Sequence, residues 1–534
     1  LSPRKIAEAI GKETEVSFER QNDYPLSQPQ LGIFAACMAR QGEVAYNNGV
    51  LLQLGNGVDL SRLAKACEKM VETHPFVKTR LFIDSKGNPR QRRNDDEPYQ
   101  QDIEIMSDTD FEQLRPQLMQ PFYLLADRLF RIRLFSTPSA AYLFMDFHHI
   151  IFDGYSFEVL IDDLNNAYNG QSLESEEWSA FEVAQEEEII RQSDAYQQAA
   201  IWNKEHFGKL DVVSLPEGGR RDEHVDFAEE DLLLDISLQK LEEACSQMGV
   251  TPNVLTTTVF GYLLGIYSHA QESLFATIYN GRKDIRTTRT VGMLVKTLPV
   301  HVFWQQQHTV RDLLQTVRQQ LLGSMSNDLY SFRELNALNS CVNSHVLFAW
   351  QGDLISSDTI GGQPYRKMPI MKNATGEMLV MQVFCQEDRL KLITEYQTNL
   401  YSQLFIARMM QCYHQLLHDF TEAAVDDKPL SVLPLIPANE QATLISLGTG
   451  ERMDYDTTQT FTSLFEKQAA QTPEATAIVD KDTSITYAEL DCQSNILAAV
   501  LRNAQVTTDT FVGLMLPRRI CFMTAVLAVF KAGG

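Results

Sequence analysis

The stretch from Phe144 to Leu160, FMDFHHIIFDGYSFEVL, gathers His148, His149, Asp153 and Gly154 into one short segment. An imidazole titrates near neutrality, so it can take a proton from a nucleophile at physiological pH or ligate a metal. For a metal the spacing is poor. Neighbours on an extended segment point to opposite faces, so His148 and His149 do not easily share one ion. As a structural loop, Ser156 caps a helix starting at Phe157 and Asp153-Gly154 forms a turn. That accounts for Gly154 and Ser156 but not for two imidazoles at the end of an apolar strand. As a catalytic loop, one histidine faces the interior and the other a cleft. The helix N-terminus beside them favours the neutral, base-competent imidazole. Asp153 then either orients the histidine or holds the loop through a cation. An arginine elsewhere is its natural partner, because an isolated buried carboxylate is costly. Spacing alone leaves the structural and catalytic readings open.

The elements around this loop read as mixed α/β. Ala141 to Phe147 is an apolar strand leading into it, and Phe157, Leu160, Ile161, Leu164 and Tyr168 repeat at helical spacing after it, stopping at Gly170. Upstream, Leu63, Cys67, Met70, Val71 and His74 share one helical face. TRLFID and PRQRR read as strands around a glycine turn. Downstream, Ser237 caps a helix ending at Gly249, and Pro252 opens another. Strands are expected at SLFATIYN, HVLFAW, MLVMQVFCQ and LKLITEYQ, and a long amphipathic helix at 402–424. Two α/β halves of similar size suggest a two-lobed body. A proline-rich linker, VDDKPLSVLPLIPANE, precedes the start of a further α/β domain.

Bulk properties bound the function. A chain of 534 residues exceeds a single hydrophobic core, so several domains are expected. A net charge of -24 repels phosphates and anionic membranes, so neither nucleic acid nor membrane is an expected partner. No run of 18 apolar residues and no signal-peptide pattern occurs. The eight cysteines show no C-x-x-C pairing, which fits free thiols and a cytoplasmic location. The chain begins with Leu1 and closes on VFKAGG, so it reads as an internal piece of a longer polypeptide.

HHIIFDG resembles the HHxxxDG signature of condensation domains in nonribosomal peptide synthetases, within the chloramphenicol acetyltransferase-like superfamily. YPLSQPQLGIF (24–34), THPFVKTRLF (73–82), TVGMLVKTLPV (290–300) and NDLYSFREL (327–335) resemble further motifs of that family in the same order, over about 400 residues. Pro75 and Lys78 depart from the usual Glu and Arg, and Lys296 stands where Asn is usual. ITYAEL and FKAGG resemble the first core motifs of adenylation domains, but the phosphate-binding TSGTTGxPK motif is absent from the chain.

The resemblance implies two chloramphenicol-acetyltransferase-like lobes in a V-shaped pseudo-dimer, plus a small α/β fragment of an adenylation domain. The implied boundaries are a carrier-domain tail and linker over 1–17, an N-lobe over 18–185, a C-lobe over 186–427, a linker over 428–455 and the adenylation fragment over 456–534. It implies peptide-bond formation between a donor aminoacyl or peptidyl thioester and an acceptor aminoacyl thioester, in secondary-metabolite biosynthesis. The thioesters ride on phosphopantetheine carried by upstream and downstream peptidyl carrier domains; no metal is implied, and the fragment is expected to be monomeric beside its own adenylation domain. His149 matches the catalytic histidine, as base or as a group that places the amine. His148 supports the loop, Gly154 offers a backbone N–H to the oxyanion, and Asp153 is expected to pair with Arg282.

Epimerisation domains share the motif, and a non-catalytic docking domain or a free CoA-dependent acyltransferase are further alternatives. The adenylation-like start downstream favours condensation. RQRR (90–93) and GRKDIRTTR (281–289) are basic islands that either meet pantetheine phosphates or form a solvated strip, and Tyr155 either lines the tunnel or is partly buried. The motif variants hint at the subclass taking a D-configured donor.

Overall fold

The computed structural model describes residues 20–40, 42–176, 178–212, 214–216, 226–305, 307–352, 358–370, 377–434 and 436–534. The carrier-domain tail and linker expected over 1–17 lie outside them. The chain divides into two compact units, Leu1–Gln441 and Ala442–Gly534.

The first unit contains two principal sheets. One has five strands in the order Arg366–Met368, Asn47–Leu54, Ala141–His148, Phe130–Ser136 and Ile103–Ile105, antiparallel except for the last pair. The other has six, in the order Lys296–Phe303, Glu272–Tyr279, Val346–Gly352, Leu379–Gln386, Arg389–Gln397 and Phe227–Leu234, with Val346–Gly352 parallel to both neighbours. Each sheet is covered by helices whose apolar stripes form its core. Leu60–Thr73 is capped by Asp59, whose side chain accepts from Arg62 N, and buries Leu63, Cys67, Met70 and Val71 on the first sheet. Pro252–Tyr267 follows the Thr251 cap and is buried along most of its length in the second core. At Gly261 an added Cβ would stand 2.3 Å from Val302 Cγ2, so only glycine lets this helix approach its sheet so closely.

Two segments cross the boundary drawn at 185/186. The strand Arg366–Met368 leaves the second half and pairs with Asn47–Leu54 at the edge of the first sheet. Val291 and Leu294, in the connection between two strands of the second sheet, are buried in the first core. The halves are therefore interlocked rather than strung in series. The expected linker also starts inside the fold. Val310 N donates to Lys428 O, Thr309 bridges to Pro429, and Leu430 and Leu433 are buried in the second core. A helix, Ala438–Gly448, follows.

The second unit has the helix Phe461–Gln471, the hairpin Thr476–Asp480 with Thr483–Thr486, and the helices Tyr487–Asn503 and Ile520–Ala532. Phe465, Ile485, Leu490 and Leu527 form its small core, and Thr486 with Glu489 closes a capping box within ITYAEL. Among the described residues no helix is long and apolar enough to cross a membrane.

Candidate active site

The strand Ala141–His148 delivers the two histidines at its end, and they part company there. His148 is 3% exposed and packs near Tyr46 and Phe122. Its Nδ1 accepts from Ile150 N at 3.1 Å, so the neutral ring carries its proton on Nε2, which lies 3.6 Å from Cys37 Sγ. Burial, with the neighbouring His149 and Arg131, pushes its pKa down to about 3. The same burial pushes the Cys37 thiol up to about 11, so this pair is neutral.

His149 opens a short 3₁₀ turn and is half-buried. Its backbone N–H donates to Tyr46 O at 2.7 Å, tying the loop to the neighbouring strand. Its ring Nδ1 lies 2.6 Å from Phe152 O. A carbonyl only accepts, so Nδ1 carries the proton and Nε2 of the neutral ring keeps its lone pair. His149 lines a cavity of about 730 Å³ enclosed by residues of both halves.

Asp153 does not orient the imidazole, a task that falls to the Phe152 carbonyl. Its carboxylate is fully buried and accepts from Ser156 N, Ser156 Oγ, Leu294 N and Val295 N at 2.7–3.2 Å. Arg282 completes the set with a bidentate pair, Nη1 at 2.9 Å and Nη2 at 3.0 Å, so the expected ion pair is present. Burial alone would raise the Asp153 pKa, but the Arg282 charge and these donors hold it below the ordinary carboxylate range. Arg282 also donates to Thr290 O and stacks over Tyr155, 4.6 Å from its ring centre.

The helix therefore starts earlier than spacing suggests. Asp153, not Ser156, is its N-cap, and Gly154 is its first residue. Ser156 instead bridges Asp153, Arg282 and Gly292. Gly154 is exposed and is not among the residues lining the cavity, nor is Tyr155, whose ring is taken by Arg282.

Three of the sequence motifs converge on the cavity beside His149. Gln28, Pro29, Gly32 and Ile33 come from the first, Met293 and the run 295–299 from another, and Asn327, Asp328, Tyr330 and Arg333 from the third. The fourth, THPFVKTRLF, serves the interior instead. His74 is 1% exposed between Asp163 and Glu176, each 2.8 Å away. Lys78 is bound by Glu72 and by the carbonyls of Asp95 and Glu97. Lys296 reaches the cavity, where Asp328 and Glu187 raise its pKa against the effect of burial. The basic islands are occupied by the protein's own carboxylates: Arg92 by Asp23, Arg93 by Asp95, Lys283 by Asp328, Arg286 by Asp284 and Arg289 by Asp163. Sequence reasoning missed Tyr46, Asn47, Asn48 and Glu187, all on the cavity wall. The polar AYNN run directly before an apolar segment was the available signal for the first three. Among the described residues no group of three or more His, Cys, Asp or Glu gathers as a metal site.

The fold is mixed α/β, with two interlocked halves that line one cavity and a histidine loop at its wall. Residues 20–445 match the Condensation domain family, and residues 465–534 match the AMP-binding enzyme family. The chain belongs to the condensation-domain family of nonribosomal peptide synthetases, and the start of an AMP-binding domain follows. Tyrocidine synthase 3 of Brevibacillus parabrevis is 27% identical over 96% of this chain, and bacitracin synthase 2 of Bacillus licheniformis is 25% identical over 96%. The chain spans only 8% and 20% of those two proteins. A four-domain nonribosomal peptide synthetase bound to AMP and glycine superposes with a TM-score of 0.71 at 19% identity, covering 98% of this chain and 42% of the other. The first condensation domain of the calcium-dependent antibiotic synthetase, in complex with a substrate analogue, gives 0.64 at 16% identity over 78% of this chain and all of its own.

Proposed function

We propose that this site joins a donor aminoacyl or peptidyl thioester to the amine of an acceptor aminoacyl thioester, each tethered by phosphopantetheine to a carrier domain. The observation that carries this reading is His149: its Nδ1 is committed to Phe152 O, leaving Nε2 as an acceptor on the wall of a cavity of about 730 Å³. That volume falls within the range of ligand-holding clefts, about 300–1,000 Å³. The polar wall at Asn327, Ser331, Asn343 and Ser344 offers partners to the amides of a pantetheine arm. The arm supplies an activated thioester and a tether.

The protein's residues do the rest. Enclosing both reactants replaces a bimolecular encounter, an effect of about 7–11 kcal/mol where alignment is good. His149 Nε2 accepts the proton of the attacking amine, typically a factor of roughly 10²–10⁴. Asp153 and Arg282 hold the loop that presents it. Condensation is favoured over epimerisation by the AMP-binding segment that directly follows in the chain.

The test presents N-acetylated and free aminoacyl pantetheine thioesters, pairwise, and follows products by intact mass. Amide formation that disappears in His149→Ala supports the proposal. Exchange of the donor α-proton without amide formation would make this an epimerisation site, and no reaction with any pair would leave a docking module.

A further inference from the structure

The tetrahedral intermediate needs a hydrogen-bond donor for its oxyanion, and Gly154 is not among the residues lining the cavity. We propose that Asn48 supplies that donor; the inference rests on the condensation reading. Asn48 and His149 converge on one atom. The carbonyl of Phe152 accepts from His149 Nδ1 at 2.6 Å and from Asn48 Nδ2 at 3.4 Å. The second contact is at the long limit of a hydrogen bond, so the amide is placed by it without being consumed. Asn48 lines the cavity and is half-buried, and beyond this contact its side chain makes no other hydrogen bond among the described residues.

Its neighbour shows the contrast. Asn47, one residue earlier, also borders the cavity but spends Nδ2 on Gln120 O and Asp146 Oδ2. Asn47 is bound into the scaffold; Asn48 keeps an N–H for the cavity beside the base.

In the step itself, the amine lone pair attacks the thioester carbon and the C=O π pair moves onto oxygen, where Asn48 Nδ2–H meets it. His149 Nε2 takes the proton leaving the nitrogen. The oxyanion then collapses, the C–S bond breaks, the amide forms, and the departing sulfur takes the proton back from His149.

Asn48→Ala, Asn48→Leu and the isosteric Asn48→Asp are assayed with the thioester pair that reacts fastest in wild type, with thermal melting as the check on folding. Ala only removes atoms, and so keeps the fold testable where a larger replacement unfolds it. The expected result for Ala and Leu is a fall in kcat of about 10²–10³-fold with KM and the pH–rate profile unchanged. Asp, which accepts but does not donate, should lose at least as much rate, and only Ala and Leu enter the pH comparison because a new carboxylate titrates itself. A full wild-type rate in a folded Ala variant overturns the inference. So does a rise in KM at constant kcat, which marks ground-state binding, or a shifted pH profile, which marks an effect through His149. Wild-type protein that forms no amide with any pair overturns the condensation reading itself, and this inference with it.

Discussion

Arg282 grips both oxygens of Asp153 across 129 residues of sequence, with each side chain almost wholly buried. The pair fastens the second half of the fold to the cap of the helix behind His149. Structure and chemistry therefore meet in one contact.

Removing one partner strands the other charge in the interior. Asp153→Ala is expected to destabilise the fold by about 3–5 kcal/mol and to reduce soluble yield, not merely rate. The double replacement Asp153→Leu with Arg282→Met should be milder, because it strands no charge, although Ser156 N, Leu294 N and Val295 N lose their acceptor. Because the folded Asp153 pKa is lowered, its contribution is complete above the unfolded value of about 3.9 and is lost as pH falls through the folded value. Urea titrations at several pH values measure both effects. A normally stable Asp153→Ala protein with dead chemistry would contradict the structural role.

The two adjacent histidines should separate cleanly. His149→Ala is expected to lower transfer by roughly 10²–10⁴-fold at nearly unchanged melting temperature, since the backbone tie to Tyr46 survives. His148→Gln should instead alter stability against pH. The buried neutral ring titrates near 3, whereas an unfolded one titrates near about 6.5. Wild-type stability must therefore decline as pH falls through that window, and the variant should lose that part of the slope.

His74 should behave in the opposite sense. Its two ring nitrogens face Asp163 and Glu176, Asp163 also holds Arg289, and Glu176 also accepts from Val291 N. Burial disfavours the imidazolium, but the two carboxylates outweigh it and raise the pKa. The stabilisation is thus fully present below about 6.5 and is lost as pH rises through the folded value. Melting curves from about pH 6.5 upward should show wild type losing stability that His74→Gln never had. Parallel curves for the two proteins would mean the ring is not charged.

What the sequence discloses is mostly local. The split of His148 and His149 follows from the two-residue period of a strand. Ser237 as cap, Gly249 in the left-handed conformation and Pro252 at a helix start all stand where local chemistry puts them. The misses have long-range causes. Asp153 wins the cap from Ser156 because Arg282 and the 294–295 backbone compensate its buried charge. The strand Asn47–Leu54 lacks clean alternation. The three-residue strand 366–368 is too short to announce itself, and its partner lies more than 300 residues away. The cavity could be approached only through motif order, since its wall is drawn from segments that touch only after folding.

Gly281, next to Arg282, gives the sharpest backbone prediction. Its φ is +69°, and an added Cβ would stand 2.0 Å from Leu294 O, a backbone atom that a rotamer change does not move. Gly170 has φ +77° but open space around it. Gly170→Ala should therefore cost only the left-handed penalty, about 1–2 kcal/mol. Gly281→Ala incurs that penalty and must also push the 294–295 strand entry away, although those amides bind Asp153. Its loss of stability should exceed that of Gly170→Ala, and transfer activity should fall with it, because the displaced backbone is the one that seats the histidine loop. Equal melting temperatures for the two variants would show that the 281–294 contact yields without consequence. Lower stability with full activity would show that the loop keeps its place without it.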